Sequence, residues 1–397
     1  MANTKLCMTV NAGSSTIKIG LFEIEGSHLR QISNAEIDLR QEPLRLQVET
    51  NDEKTAVELK SVATDDLRAV IDEMLSILSI HFPMDQLQII GHRVVHGGEH
   101  FFGPALLDDD AISRIAALIP LAPLHQPQAL RIIRAIGHLR PDLSQAASFD
   151  TAFHSTQSDL VRRYALPRYL HDHGVKRFGF HGLSYKFIAS ELTRLAPYIA
   201  GKKVVAAHLG SGASLCAIES GVSRDCSMGF STLDGIPMAT RPGSIDPGVL
   251  LHMLGPLEMS VTEVEDVLYH KSGLLGVSGI SADTRVLLKD SRQEAREAID
   301  LFTLRIAGEV ARMSVTLGGL DAIVLTAGIG EHQPEIRAAI ARRLEWLGVA
   351  LDDAANKANA LVISASGSRV MALVIPTNEE RVIAEEALSE HRKAASP

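Results

Sequence analysis

The chain has few aromatic residues, 4% of its 397, and no excess of positive charge, since 39 Lys plus Arg stand against 48 Asp plus Glu for a formal net charge of −9. Base stacking and neutralisation of a phosphate backbone lack their usual materials, so no nucleic-acid surface is expected. Any anion must be met by a few placed cations. Cysteine is scarce as well. Cys7, Cys216 and Cys226 are odd in number, lack CxxC spacing and lie in or beside apolar strand-like runs, which predicts buried free thiols. No run of 18 apolar residues occurs, and MANTKLCMTVNAG has no basic stretch leading into a long apolar one. The expectation is a cytoplasmic protein without a membrane span. What is present is an apolar fraction of 46% and a charged fraction of 22%, enough for a sizeable core. The length favours two domains.

Apolar and polar runs alternate in a pattern that returns. Residues 6–10 form an apolar run, 11–15 a polar turn carrying Gly and hydroxyls, and 17–24 a second strand-like run, which together read as a hairpin. Residues 204–207, then His208-Leu209-Gly210-Ser211-Gly212, then 213–218 repeat the device. A weak internal duplication, one copy opening each half, predicts two related domains facing each other. Residues 108–118 and 128–138 carry apolar side chains at three- and four-residue intervals and predict helices. A strand at 322–326 runs into Ala327-Gly328-Ile329-Gly330-Glu331-His332, read as a third Gly turn, and then into a helix with Pro334 and Glu335 in its first turn. A last strand, 370–375, passes through Pro376-Thr377-Asn378 into a helix starting near Glu379. Strands and helices alternate, so the class is α/β. Residues 39–66 are polar and poorly periodic and read as peripheral structure.

One Gly-rich turn means little. Three, each directly after an apolar strand and each carrying Ser, Thr, Asn or His, favour phosphate cradling by backbone N–H groups, with a nucleotide as the natural ligand. No GxxxxGK[ST] is present, and neither LGSGAS nor AGIGEHQ completes GxGxxG, which excludes a P-loop and a dinucleotide-binding unit. In NAGSSTIKIG the turn leads into a strand, which resembles the phosphate hairpins of the actin, hexokinase and Hsp70 superfamily.

NAGSSTIK, HRVVHGGE, PLHQP, FDTAFH, RFGFHG, HLGSGAS, MGF with DGIPMATRPGSIDPG, AGIGEH and PTNEE follow one another between residue 5 and about residue 388. In order and spacing they resemble the acetate kinase family. The resemblance implies two actin-like domains with an ATP cleft between them, residues 1–150 completed by 377–397, and residues 151–376. It implies reversible, Mg2+- or Mn2+-dependent transfer of the ATP γ-phosphoryl group to acetate, giving acetyl phosphate and ADP by in-line displacement. A propionate or other short-chain fatty-acid kinase of the same family is the alternative. Small-molecule substrates and a homodimer are the implied partners.

Such a reaction brings an anionic carboxylate against a polyanion. Two unit charges at about 4 Å interact by roughly 4 kcal/mol at an effective dielectric near 20, so one or two arginines are decisive. The resemblance assigns Arg93 and Arg241 to the carboxylate and the moving phosphoryl group, and makes His181 the transition-state stabiliser and Asp150 the catalytic aspartate. Because a carboxylic acid is already ionised near neutral pH, no general base is needed, and Asp150 is read as orienting Arg93, Arg241 or a metal-bound water. Asn11 and Glu379 are the implied metal positions. Ser14, Thr16 and Lys18 are expected on phosphate, and His208, Leu209, Gly210, Ser211, Gly212, Asp283, Thr284, Arg285, Gly328, Ile329, Gly330, Glu331 and His332 on nucleotide. Val95, Leu124, Phe180 and Thr232 form the implied acyl pocket, where β-branched Val95 argues for acetate over propionate.

The chain departs from the family pattern at Tyr185, where a second His is usual, and at Ser211, Thr232, Pro242 and His332. None of these is Arg93, Asp150, His181 or Arg241, so reaction type is the firmer expectation and substrate the weaker. One rival, an actin-like ATPase or nucleotide-gated binding module, has no use for two arginines and an acyl pocket. Another, a serine acyl-enzyme, rests on Ser15-Thr16-Ile17-Lys18 with Lys271-Ser272-Gly273, but wants SxxK at a helix start and an SDN-type motif. His171-Asp172-His173 reads as a solvated turn, and Gly97-Gly98 interrupts the spacing of His92, His96 and His100, so no zinc site is read there.

Overall fold

A computed structural model describes residues 5–13, 16–26, 28–50, 53–62 and 67–395. The chain divides into two compact units, Met1–Phe153 with Asn378–Pro397, and His154–Thr377.

In the first unit eight strands form one sheet, β1 (Lys5–Ala12), β2 (Thr16–Glu25), β3 (His28–Asp38), β4 (Arg45–Thr50), β5 (Lys54–Glu58), β6 (Leu87–Val94), β7 (Ala105–Leu106) and β8 (Ser144–Phe149). Their order is β5-β4-β3-β2-β1-β6-β8-β7. β1, β2 and β3 pair antiparallel, whereas β1, β6 and β8 run parallel. Side chains alternate across β1, as a strand requires. Leu6, Met8 and Val10 enter a core with Val70, Ile71, Met74 and Leu78 of the helix Arg68–His81 and Ile132 and Ile136 of Gln126–Leu139. Cys7 points the other way, to Ala384 and Ala387 of the closing helix Glu379–Ala395. That helix lies close to the sheet because β6 carries a glycine there. A methyl group at Gly91 would come 2.7 Å from Ile383 Cγ2 and 3.0 Å from the Ile383 carbonyl oxygen, so any larger residue pushes the helix away.

The second unit has β9 (Lys203–Leu209), β10 (Ala213–Glu219), β11 (Val222–Cys226), β12 (Ala322–Thr326) and β13 (Met371–Val374), in the order β11-β10-β9-β12-β13. Three antiparallel strands are again followed by two parallel ones. This is the central arrangement of the first unit repeated, the actin-like topology in both. The long helix Gln293–Leu317 supplies Phe302, Ile306, Val310 and Met313 to the interior.

Three local readings need correction. Within residues 39–66, β4 and β5 extend the sheet, and Leu44, Leu46, Val48 and Leu59 are core residues. Apolar Leu46 and Val48 alternate with Arg45, Gln47 and Glu49, a half-buried strand with a charged outer face. Ala327–His332 is a short helix rather than a turn. His171 belongs to the short helix Arg168–Asp172. All three cysteines are free and buried, and burial pushes the Cys7 and Cys226 thiols up to about 12. No described helix is long and apolar enough to cross a membrane.

Two buried imidazoles tie stability to pH. His92 sits inside the sheet with Nε2 2.7 Å from Gln145 Oε1, and desolvation lowers it from 6.5 to about 4; burial does the same to His96. A base depressed on folding binds fewer protons in the native state than in the unfolded one. Stability is therefore fully present above pH about 6.5 and is lost as pH falls toward about 4, by up to roughly 3 kcal/mol for each ring. Urea midpoints should fall across that window, and His92→Gln should flatten the fall. An unchanged slope in that variant removes His92 from the account.

Candidate functional site

Adjacent parallel strands in the first unit end side by side, and their ends carry polar residues. Arg93 lies on β6, and Asp150 follows β8, its N–H donating to the Val94 carbonyl at 3.1 Å. Arg93 Nε and Nη2 donate to the two Asp150 carboxylate oxygens at 2.9 and 2.6 Å, a bidentate fork, and Nη1 donates to Asn11 Oδ1 at 3.1 Å. Asn11, on β1, passes the chain of contacts onward, donating from Nδ2 to Glu379 Oε2 at 3.0 Å and to Glu380 Oε1 at 3.1 Å. The Arg93 and Asp150 side chains are 15% and 1% exposed. Burial alone would lower the Arg93 guanidinium, but Asp150 and Glu379 overcome it and hold it above its ordinary value. Fixed positive charge at strand ends, aimed by a buried carboxylate, is suited to an anionic ligand.

Asn11 stands opposite Lys18 across the β1–β2 hairpin, which is closed by Gly13 N–H donating to the Thr16 carbonyl at 2.8 Å. Lys18 is exposed and Thr16 half-buried; Ser14 lies outside the described residues. Lys18 sits on a strand, not at the helix start that SxxK chemistry wants. Val95 is buried and Leu124 half-buried in this unit. The carboxylates of Glu379 and Glu380 beside the Asn11 amide form a hard oxygen donor set at the start of the closing helix, a composition that fits magnesium, which takes one or two carboxylates and keeps waters.

In the second unit His181 is held from three directions. Its backbone is left-handed, with φ 56°, a conformation costly for a non-glycine residue that persists only where the surroundings impose it. It precedes the helix Gly182–Leu195. Its ring stacks on that of His208, centroids 4.3 Å apart and 20° from parallel. Its Nδ1 lies 2.8 Å from Ser214 Oγ. His208 Nδ1 in turn lies 2.8 Å from Ser184 Oγ, which is 2.9 Å from Thr377 Oγ1. The β9–β10 hairpin comes up to His181 at Gly212. A methyl group there would sit 3.3 Å from His181 Nε2 and 3.6 Å from Arg241 Nη2, so the imidazole and the guanidinium flank one bare stretch of backbone. Arg241 is aimed by Nη1 donating to the Thr232 carbonyl at 2.9 Å, and its loop is tied to the hairpin by Ala239 N–H donating to the Ser211 carbonyl at 3.2 Å. Phe180 is buried beside His181, and Thr232 half-buried.

Of the remaining nucleotide expectations, the Asp283–Arg285 segment makes its own contacts, whereas helix Ala327–His332 meets the His208 network through Thr377. Asp283 caps the short helix Thr284–Leu287 and receives Arg285 Nε and Nη2 at 3.0 and 2.6 Å. Arg285 holds the Asp283 carboxyl below its usual range. With Val286, Lys289 and Asp290 they line a surface depression. Helix Ala327–His332 is fixed through its middle and end. Arg337, 1% exposed, donates to the carbonyls of Gly330 and Glu331 at 2.8 and 2.9 Å and to Asn356 and Asn359. Glu331 Oε1 accepts from Thr377 N–H at 3.1 Å, while the His332 side chain is 73% exposed. Glu380, Ser184, Ser214 and Arg337 are members of these networks that the sequence did not single out. A buried Arg without a carboxylate leaves no local pattern, and only Glu380, next to Glu379, offered a signal.

Residues 6–385 match the profile of the Acetokinase family. The chain is 42% identical over 396 residues to the acetate kinase of Methylocella silvestris, covering 97% of this chain and 98% of that one. It is 44% identical over 392 residues to that of Nitrobacter hamburgensis, covering 96% and 95%. Among solved structures, a propionate kinase from Francisella tularensis superposes with a TM-score of 0.91 at 33% identity, covering 97% of this chain and 99% of that one. Porphyromonas gingivalis acetate kinase does so with 0.86 at 32%, with the same coverage. Full-length similarity at this level carries the reaction class with it: the chain belongs to the acetokinase family, kinases that transfer a phosphoryl group to a carboxylate.

Proposed function

We propose that the chain moves the γ-phosphoryl group of ATP onto acetate and back, by direct in-line attack of a carboxylate oxygen on phosphorus. The observation that carries this reading is the approach of His181 Nε2 and Arg241 Nη2 to the bare backbone at Gly212, on a Gly-rich hairpin. Donors preset around a point where charge develops stabilise a transition state without reorganising. In this reading Arg241 and His181 serve the equatorial oxygens of the moving phosphoryl group. Arg93 meets the acceptor carboxylate, and Asp150 holds its fork in place. Asp150 takes no proton, because acetate arrives ionised. The backbone of His208–Gly212, the helix Ala327–His332 and the Asp283–Arg285 segment take the nucleotide, with Ser14, Thr16 and Lys18 on phosphate.

Magnesium would be held by Asn11 and Glu379, with Glu380 beside them, and would neutralise charge on the β- and γ-phosphates. The chain's own contribution there is to hold two carboxylates and one amide together. Cytoplasmic residence and assembly as a homodimer belong to the same proposal. The dimer is supported by the helix Pro247–Leu254 and the turn that leads into the helix Val261–His270, where Val249, Leu251, Leu254, Leu257 and Val261 are 48%, 70%, 43%, 57% and 72% exposed. Exposed apolar side chains concentrated in one segment favour an interface, and a second copy is the occupant. Sedimentation of a single 42.8 kDa species at micromolar concentration would remove it.

Val95, Leu124, Phe180 and Thr232 are small or apolar side chains proposed to bound the acyl group. Their size favours a methyl, while the likeness to a propionate kinase supports the alternative acceptor. One methylene is worth about 1–3 kcal/mol, so propionate should react with kcat/KM lower by roughly 10- to 100-fold. Hydroxamate trapping of the acyl phosphate with acetate, propionate and butyrate decides both points. No acyl hydroxamate with any of them overturns the proposal, and equal rates with acetate and propionate overturn the preference.

A further inference from the structure

As a neutral ring, His181 donates to a phosphoryl oxygen through Nε2 only in the tautomer that carries the proton there, and the groups behind it bear on that choice. On the Nδ1 side lies Ser214 Oγ at 2.8 Å, and 2.6 Å beyond it lies the hydroxyl of Tyr185, on the helix that His181 precedes and fully buried. Tyr185 is the residue that stands where the family pattern has a histidine.

A buried hydroxyl must place its proton on an acceptor. Around the Tyr185 phenol are the edge of the His154 ring, 5.8 Å between centroids, the thiols of Cys226 and Cys216, and the His208 backbone N–H, itself a donor. Ser214 Oγ is the one good acceptor among these, so the phenol proton points at Ser214. Burial, reinforced by the two thiols, holds the phenol well above its ordinary value, so it remains a donor across the working pH range. Ser214 has one proton of its own, and with Tyr185 donating to it, the acceptor left for that proton is His181 Nδ1.

We propose that Tyr185 is a positioning residue for the phosphoryl-transfer step, acting through Ser214 to hold His181 as the tautomer with its proton on Nε2, facing Gly212 and the moving phosphoryl group. The proposal rests on the role given to His181 above. It differs from simple packing because it fixes the direction of two hydrogen bonds. Tyr185 touches neither substrate nor the reacting atoms. A histidine at this position could run the relay in either sense, with one ring nitrogen as donor or acceptor, whereas a tyrosine in this pocket runs it one way.

The test uses the full chain labelled with 15N-histidine, the His181 signals being assigned with His181→Asn. Two-bond 1H–15N spectra, at pH values where the ring is uncharged, should show Nδ1 as a hydrogen-bonded acceptor and Nε2 as N–H. Tyr185→Phe should move both nitrogens toward mixed tautomers and lower kcat roughly 10-fold, as loss of an orienting partner does elsewhere, with KM for ATP and acetate within about 2-fold. Ser214→Ala should give the same spectral change, and the double variant should be no worse than Ser214→Ala, because both act through one contact. A proton on Nδ1 in the unsubstituted chain overturns the proposal even if every variant fails to fold. Unchanged spectra and kcat in Tyr185→Phe overturn it equally. Failure of the kinase reading is separate and visible: no acyl hydroxamate forms, whatever the tautomer.

Discussion

Replacing Arg93 by alanine is expected to lower turnover with acetate about 10²- to 10³-fold and, in the same variant, to reduce stability by about 3 kcal/mol. The first effect follows from removing the cation proposed to meet the acceptor carboxylate. The second follows from Asp150. Its side chain is 1% exposed and both oxygens accept from Arg93, so the alanine variant leaves a buried carboxylate without its fork. The two effects can be separated. Arg93→Ala with Asp150→Ala removes the stranded charge, so denaturant midpoints should recover most of the loss while hydroxamate formation stays low. Recovery of activity in the double variant would show that Arg93 only neutralises Asp150. An unchanged midpoint in the single variant would show that the pair does not stabilise the unit.

Much of the architecture is written locally. Alternation at Leu6, Cys7 and Met8 puts one face of β1 against two helices and the other against the closing helix, and a period-2 pattern at both hairpins is enough to see the repeat. What was missed depends on partners far along the chain. In Ala327–His332 the glycines at 328 and 330 signal a turn, but the segment is held as a helix by Arg337 from the next helix and by Thr377. β4 was hidden because Arg45, Gln47 and Glu49, which alternate with Leu46 and Val48, face outward. The pairing of Arg93 with Asp150 spans 57 residues, and no spacing rule encodes it. The available clue was weaker: both residues stand where an apolar strand ends, and ends of parallel strands are where α/β sheets gather ligand-binding groups. Tyr185 was visible as a departure from the family pattern, but its bond to Ser214 was not, because Tyr185 lies on a helix and Ser214 on the β9–β10 hairpin, 29 residues along the chain.

Arg241 should answer differently from Arg93, and the contrast tests whether both arginines act on the reaction. Its guanidinium is aimed by the Thr232 carbonyl through Nη1, a neutral acceptor that can turn to water or another donor when the arginine is gone. Loss of the bond to Thr232 in Arg241→Ala should cost about 1 kcal/mol of stability, the worth of one ordinary hydrogen bond. Turnover should still fall about 10²- to 10³-fold, because the side chain is proposed to meet charge spreading over the phosphoryl oxygens. The loss should appear in kcat, with KM for acetate little changed, since an interaction made only in the transition state leaves ground-state binding alone. Arg241→Lys keeps the charge but loses the planar fork and should recover only part of the rate. If Arg241→Ala raised the KM for acetate and left kcat unchanged, its role would be to bind the acceptor, and the assignments of the two arginines would have to be exchanged.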